Sequence, residues 1–221
     1  MTTLTLTFDN GPVPGATDAI LDRLRDRGLL ATFFVIGERL LDPAGRRLAE
    51  RARAEGHWIG NHTLTHTKPF GEYEEPGHAA VEIGGAEALI GDLASPERFF
   101  RPVGRGQLGP HLLTPEARDH LIDHRYTLVT WNNVPRDWVE PQRDWLERAI
   151  DGMAASERNL IVLHDHCIVE MLDTLDAFLD RMAADGVEIV QAMPEECLPI
   201  RRGRVVLPID GFVGDAAAPG A

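Results

Sequence analysis

LTLTFDNGP, residues 4–12, is a run of Leu, Thr and Phe that delivers one carboxylate, Asp9, and then an amide, Asn10, into a Gly-Pro turn. Alternating β-branched, aromatic and aliphatic residues ahead of Gly and Pro read as a strand and its exit turn. Further strand-like runs follow at ATFFVIG (31–37), HWIGNH (57–62), RFFRPV (98–103), TLVTWNN (127–133), NLIVLHD (159–165) and VEIVQAM (187–193). Helical patterns lie between them, as at Thr17–Arg27, Arg46–Glu55 and Val169–Ala184, with Gly28, Gly56 and Gly186 placed to end helices in the left-handed conformation. About seven βα-like units predict an α/β domain whose parallel sheet closes, or nearly closes, into a barrel. A doubly wound open sheet has the same periodicity and stays open as an alternative. The catalytic domain is expected over residues 1–199, and residues 200–221 are expected to form a tail with a mobile end. Lys68–Pro76 reads as an excursion over the sheet.

The chain has 221 residues, 43% of them hydrophobic and 26% charged, which suits one sizeable core. Its net charge of −13 argues against nucleic acid or an anionic membrane as partner and fits a neutral or cationic small molecule better. No apolar run reaches the length of a membrane span, and no basic-then-apolar leader pattern opens the sequence, so a cytoplasmic protein is expected. Cys167 and Cys197 make no disulfide framework and read as buried thiols. The oligomeric state is open.

Residues that carry chemistry gather where the strands end. Asp9 follows the first, His62 and His66 the third, Arg101 the fourth, Asp137 and Trp138 the fifth, and His164 the sixth. In a parallel barrel those ends share one face, where βα loops build a site. Two histidines four apart, in NHTLTH (61–66), could grip one divalent ion, although capping or surface histidines have the same spacing. His57, Trp131 and Phe99 read as structural, His166 more as a surface residue than a site residue, and Glu72–Glu75 as a solvated acidic run. Arg105 and His111 could recognise substrate or face solvent.

TFDNGP, NHTLTH, FFRPVG, NVPRDW and IVLHD stand in the order and spacing of the NodB-homology polysaccharide deacetylases, carbohydrate esterase family 4. The chain resembles that family from about residue 3 to residue 193. The resemblance implies a distorted (β/α) barrel and metal-assisted removal of an acetyl group from an N- or O-acetylated sugar. By position, Asp9 matches the general base, His164 the general acid, Arg101 the residue that tunes the base, and Asp137 the acid that holds the histidine. His62 and His66 match metal ligands, Trp138 and Leu163 match walls of the acetyl pocket, and Gly104 is placed to offer an oxyanion N–H. An oligosaccharide or smaller sugar is the implied substrate.

The departures matter. Family members read Asp-Asp where this chain reads Asp9-Asn10, and the second Asp is a metal ligand. A neutral amide attracts a cation less and leaves more of its charge uncompensated. A weakened site preferring Zn, Co or Ni is expected, with a metal-free site as the rival. Val134 replaces an acid, and Val103-Gly104-Arg105 replaces the family's Pro-Tyr loop. Two other functions stay open: hydrolysis of another linear or cyclic amide, as in allantoinase-like relatives, and a sugar-binding protein without turnover.

Overall fold

The computed structural model describes residues 2–73 and 76–214. Its sheet has nine strands. β1 (Thr3–Gly11) lies beside β6 (Arg158–His164), and on its other edge beside β2 (Thr32–Val35) and β7 (Glu188–Val190). β3 (Trp58–Asn61), β4 (Phe99–Phe100) and β5 (Thr127–Leu128) continue from β2, all in parallel. Beyond β5, Asn133 pairs with Ile161 of β6, donating its N–H to Leu160 at 3.1 Å and accepting from Val162 at 3.0 Å. That one bridge closes the ring, so the fold is a barrel and the doubly wound alternative falls. The seven parallel strands match the sequence expectation.

Alternation along β1 and β6 sorts the core. Leu4, Leu6 and Phe8, with Ile161 and Leu163, face outward into a cluster shared with α1 (Thr17–Asp26), α2 (Pro43–Ala54), α3 (Gly85–Ile90), α5 (Trp145–Met153), the short α6 (Asp165–Ile168) and α7 (Leu172–Ala184). Leu160 and Val162 face inward with Phe34, Phe100 and Trp131, in a second cluster that continues under α4 (Pro115–Asp123). The inward positions of β1 are polar instead: Thr5, Thr7 and Asp9, all buried. Each completely buried large apolar side chain contributes about 1.5–3 kcal/mol, and such residues lie on both sides of the sheet.

Local signals explain the helix ends. Asp42 and Thr114 accept the N–H groups of Ala44 and Ala117, each followed by Pro at the first helical position. Gly28, Gly56 and Gly186 have positive φ, as expected.

The structure differs from the sequence reading in two places. The runs at 98–103 and 127–133 give strands of only two residues each, because the residues after Phe100 and Leu128 leave the ladder and among them Pro102, Val103 and Trp131 line the barrel mouth. The segment after Pro199, read as the start of a tail, instead forms β8 (Ile200–Arg201) and β9 (Arg204–Val205). β8 pairs antiparallel with β5, and Ile200 is completely buried, so the globular unit runs past residue 199. The mobile end expected of the tail lies outside the described residues from 215 on, and so do Glu74 and Glu75 of the acidic run. Among the described residues, no helix is long and apolar enough to cross a membrane.

Gly60 allows the barrel interior to close. A Cβ there would stand 2.6 Å from the Phe34 ring, which in turn supports the Arg101 guanidinium at 4.0 Å. Gly60→Ala is expected to lose about 1–3 kcal/mol through overpacking and to lower activity by displacing Arg101. Denaturant unfolding beside a rate assay checks both, and a wild-type midpoint would show that the ring yields freely.

Candidate active site

A β-bulge sets the two opening residues of the site. In the pairing of β1 with β2, Asp9 faces Phe34 and Gly11 faces Val35, so Asn10 is an extra residue. Its φ of 67° is left-handed, a conformation Asn tolerates better than most residues. Strict alternation would send residue 10 away from the barrel mouth. The bulge turns it back, and Asp9 and Asn10 line the same cavity.

That cavity, about 180 Å³, is also lined by His62, His66, the backbone from Pro102 to Gly106, Trp131, Val134, Trp138, Val162, His164 and His166. The strand ends therefore bring the expected residues together. Arg101 and Asp137 stand one layer behind it, without exposed surface. The Arg101 Nη1 donates to Asp9 Oδ1 at 2.7 Å and to Thr7 Oγ1 at 2.8 Å. Opposite, Asp137 grips His164 twice, accepting from its backbone N–H at 2.7 Å and facing its Nδ1 at 2.8 Å.

These contacts set the charges. Burial, the strongest influence on Asp9, works to raise its carboxyl, but Arg101, His62 and His164 together hold it below the usual range. Burial also works to discharge His164, yet the hydrogen bond and charge of Asp137, aided by Asp9 and Asp165, hold its pKa above the ordinary imidazole value. The site thus presents an ionised carboxylate on one wall and a protonatable imidazole on the other.

His62 faces the Arg101 carbonyl through Nδ1 at 2.8 Å, and a carbonyl only accepts, so Nδ1 carries the proton. Nε2 is left bare, 3.6 Å from Asp9 Oδ2, with the His66 ring 4.7 Å from its own. Burial is the main cause that pushes His66 down to about 3, and burial lowers His62 as well, which favours the neutral form of both rings. Asn10 Oδ1 is buried without a hydrogen-bond partner. The bare His62 Nε2, the His66 ring and the unpartnered Asn10 oxygen belong to residues lining one cavity, and together they fit a cation. Among the described residues no three side chains of the His, Cys, Asp and Glu types are grouped to hold an ion, so the donor set that fits contains an amide and is neutral.

Leu163 does not line the cavity. It packs in the outer cluster because His164, the next residue on β6, faces inward, and Val162 takes the wall position instead. Trp131, expected in the core, reaches the cavity while almost fully buried. Gly104 packs closely against it, since a Cβ would stand 2.2 Å from the Trp131 ring. Arg105 lines the mouth with its charge engaged by Glu72 through hydrogen bonds of 2.6 and 2.9 Å, and His111 bonds the Gly104 carbonyl at 3.2 Å. Both brace the loop. His57 accepts the Ala31 N–H at 3.0 Å and is structural, as expected, and both cysteines are free and buried.

Two residues had more to offer than the sequence reading gave them. His166 is exposed at the mouth, its ring 6.0 Å from that of His164. Asp165, quoted within IVLHD but given no role, is completely buried, accepts the Thr17 hydroxyl, and leaves Oδ1 unpaired. Burial pushes its carboxyl up to about 7. The Asp in second place of a His-Asp pair at a strand end was the available signal.

A parallel barrel with a carboxylate and an imidazole opposed across its mouth is suited to acid–base hydrolysis. A family model described as polysaccharide deacetylase matches residues 2–106. A chitooligosaccharide deacetylase of Sinorhizobium fredii is 34% identical over 202 residues, covering 89% of this chain and 87% of the relative. A peptidoglycan-N-acetylglucosamine deacetylase of Bacillus cereus is 29% identical, over 73% of this chain and 72% of its own. Among solved structures, a family 4 acetyl xylan esterase from Clostridium thermocellum in complex with a cobalt ion superposes with a TM-score of 0.68 at 27% identity, covering 85% and 87% of the two chains. The fold is shared with a polysaccharide deacetylase from Bacillus cereus at a TM-score of 0.72 and 24% identity, over 91% and 97%. The chain belongs to the polysaccharide deacetylase family.

The charge on His164 yields a prediction. A general acid must be protonated, so activity should hold above the ordinary imidazole range and fall as pH rises through the elevated pKa. Asp137→Asn removes the hydrogen-bonded charge and leaves burial dominant, so the alkaline limb of kcat/KM should move to lower pH. A pH–rate profile of both proteins checks this, and an unmoved limb would refute the pairing.

Proposed function

We propose that this protein hydrolyses the acetyl group of an N-acetylated amino sugar or short oligosaccharide, releasing acetate and leaving a free amine. The observation that carries the reading is the opposition of two fixed pairs, Arg101–Asp9 and Asp137–His164, across one small cavity. Arg101 occupies Asp9 Oδ1, so Oδ2 is the oxygen open to take a proton from the attacking water. The water oxygen forms its bond to the acetyl carbon as that proton leaves. His164, tied at Nδ1, gives its Nε2 proton to the departing nitrogen as the C–N bond breaks. Trp138, 37% exposed and edge-on to His164 at 4.9 Å, offers an aromatic face beside the acid where a sugar ring can lie. Gly104 remains the candidate to donate its N–H to the carbonyl oxygen as charge develops.

His62, His66 and Asn10 are the residues that would hold a divalent cation, with zinc first and cobalt or nickel next on ligand chemistry. The chemistry such an ion supplies is Lewis acidity at the acetyl carbonyl. The free thiols of Cys167 and Cys197 support a reducing, cytoplasmic setting for the reaction.

Asp9→Asn should abolish acetate release from N-acetyl-chitooligosaccharides, and His164→Ala should slow it by about 10²–10⁴-fold. A few-fold effect of Asp9→Asn would remove Asp9 from the reaction. The neutrality of Asn10 is tested separately. Asn10→Asp keeps the left-handed backbone accessible and adds a charge, so calorimetric zinc titration should show tighter binding. Equal affinity would mean that residue 10 does not face the ion, and undiminished wild-type turnover in excess chelator would favour the metal-independent amide hydrolase.

A further inference from the structure

The end of the barrel opposite the active site carries an unexplained concentration of positive charge. A cleft of about 750 Å³ is lined by Arg98, Arg125, Arg201, Arg202 and Arg204, with Glu97 as its single carboxylate. Arg98 and Arg125 precede β4 and β5, and the other three come from the β8–β9 hairpin, so the cleft sits at the N-terminal ends of strands whose C-terminal ends carry the catalytic groups. Five guanidinium groups gather here on a chain with a net charge of −13.

Local carboxylates leave much of this charge uncompensated. Glu97 pairs with Arg202 at 2.6 Å and with Arg201 only at 3.9 Å. Arg98 is engaged by Glu87 at 3.1 Å and lies over the Tyr126 ring. Arg125 and Arg204 make no side-chain hydrogen bond or ion pair among the described residues. The backbone that carries the group is nevertheless fixed. The Thr127 N–H bonds the Arg98 carbonyl at 3.0 Å, the Gly203 N–H bonds the Tyr126 carbonyl at 2.9 Å, and the Arg202 N–H bonds Thr127 Oγ1 at 3.1 Å. The α4–β5 turn and the hairpin are thus held side by side, with like charges on a common cleft.

We propose that this cleft binds a compact ligand carrying two phosphate groups. Guanidinium forks match phosphate oxygens in pairs, and two unengaged arginines on separate elements suit two separated groups. A long polyanion is disfavoured, because beyond about a Debye length of roughly 8–10 Å it would meet the acidic remainder of the surface.

Fructose 1,6-bisphosphate serves as the probe, titrated calorimetrically into the full chain, with fructose 6-phosphate as the one-phosphate control. The expected result is saturable one-site binding, at least ten-fold tighter for the bisphosphate and weakened at least ten-fold in the Arg125→Ala/Arg204→Ala variant. Both side chains are exposed, so that variant should keep the wild-type melting temperature and acetate release. Glu97→Gln, which removes the competing carboxylate, should tighten binding. Absence of saturable binding would overturn the proposal, as would equal affinity in the double variant. Equal affinity for the two sugar phosphates, or tighter binding of duplex DNA than of the bisphosphate, would also overturn it.

Discussion

A guanidinium with no exposed surface sits inside this barrel, and the architecture around it is what makes that tolerable. Moving Arg101 from water into the interior costs several kcal/mol, and only well-placed acceptors offset it. Asp9, Thr7 and the Thr130 carbonyl, the last at 3.5 Å, provide them, and the Phe34 face covers the cation. The same residue lends its backbone carbonyl to His62. One side chain and its own carbonyl therefore orient both the carboxylate and one imidazole of the site. Loss of either charge would strand the other in the interior, at a cost of about 3–5 kcal/mol. The polar inward face of β1, set among otherwise apolar walls, follows from this requirement.

Much of this was legible in the sequence. The alternating strands and helices, the common mouth and six of the polar site residues followed from the periodicity and the motifs, because each signal is local and its residue types are chemically narrow. What escaped depended on contacts distant in sequence. Leu163 and Val162 exchange roles through the phase of one strand, which the motif does not state. Trp131 looks like core until Gly104 is seen to pack on it and open one edge to the mouth. The hairpin after Pro199 had no periodic signal, since two-residue strands carry none. Its place is fixed by pairing with β5. The bulge was written in Asn10-Gly11, an amide prone to the left-handed region ahead of a glycine, yet its effect shows only against the register of β2.

The neutrality of residue 10 fits this setting. The cavity already holds the Asp9 carboxylate, and Asp165 is buried nearby against the turn, where a Cβ on Gly11 would meet it. A third carboxylate would have to share this poorly solvated region with both. An amide lowers that repulsion while keeping an unpartnered oxygen on a residue that lines the cavity.

The bridge that closes the ring deserves a kinetic reading. β5 is two residues long, and beyond it Asn133, through its backbone, and Asn132, through its side chain, join the last wall to β6. Asp137 and His164 lie only four and three residues from the two sides of that joint. Their hydrogen bonds span the same gap and help to shut it. The catalytic pair is thus tied to a sparsely paired part of the circumference. A local opening there, far short of global unfolding, separates the imidazole from the carboxylate that keeps it charged. Inactivation precedes denaturation wherever that seam opens before the rest of the barrel.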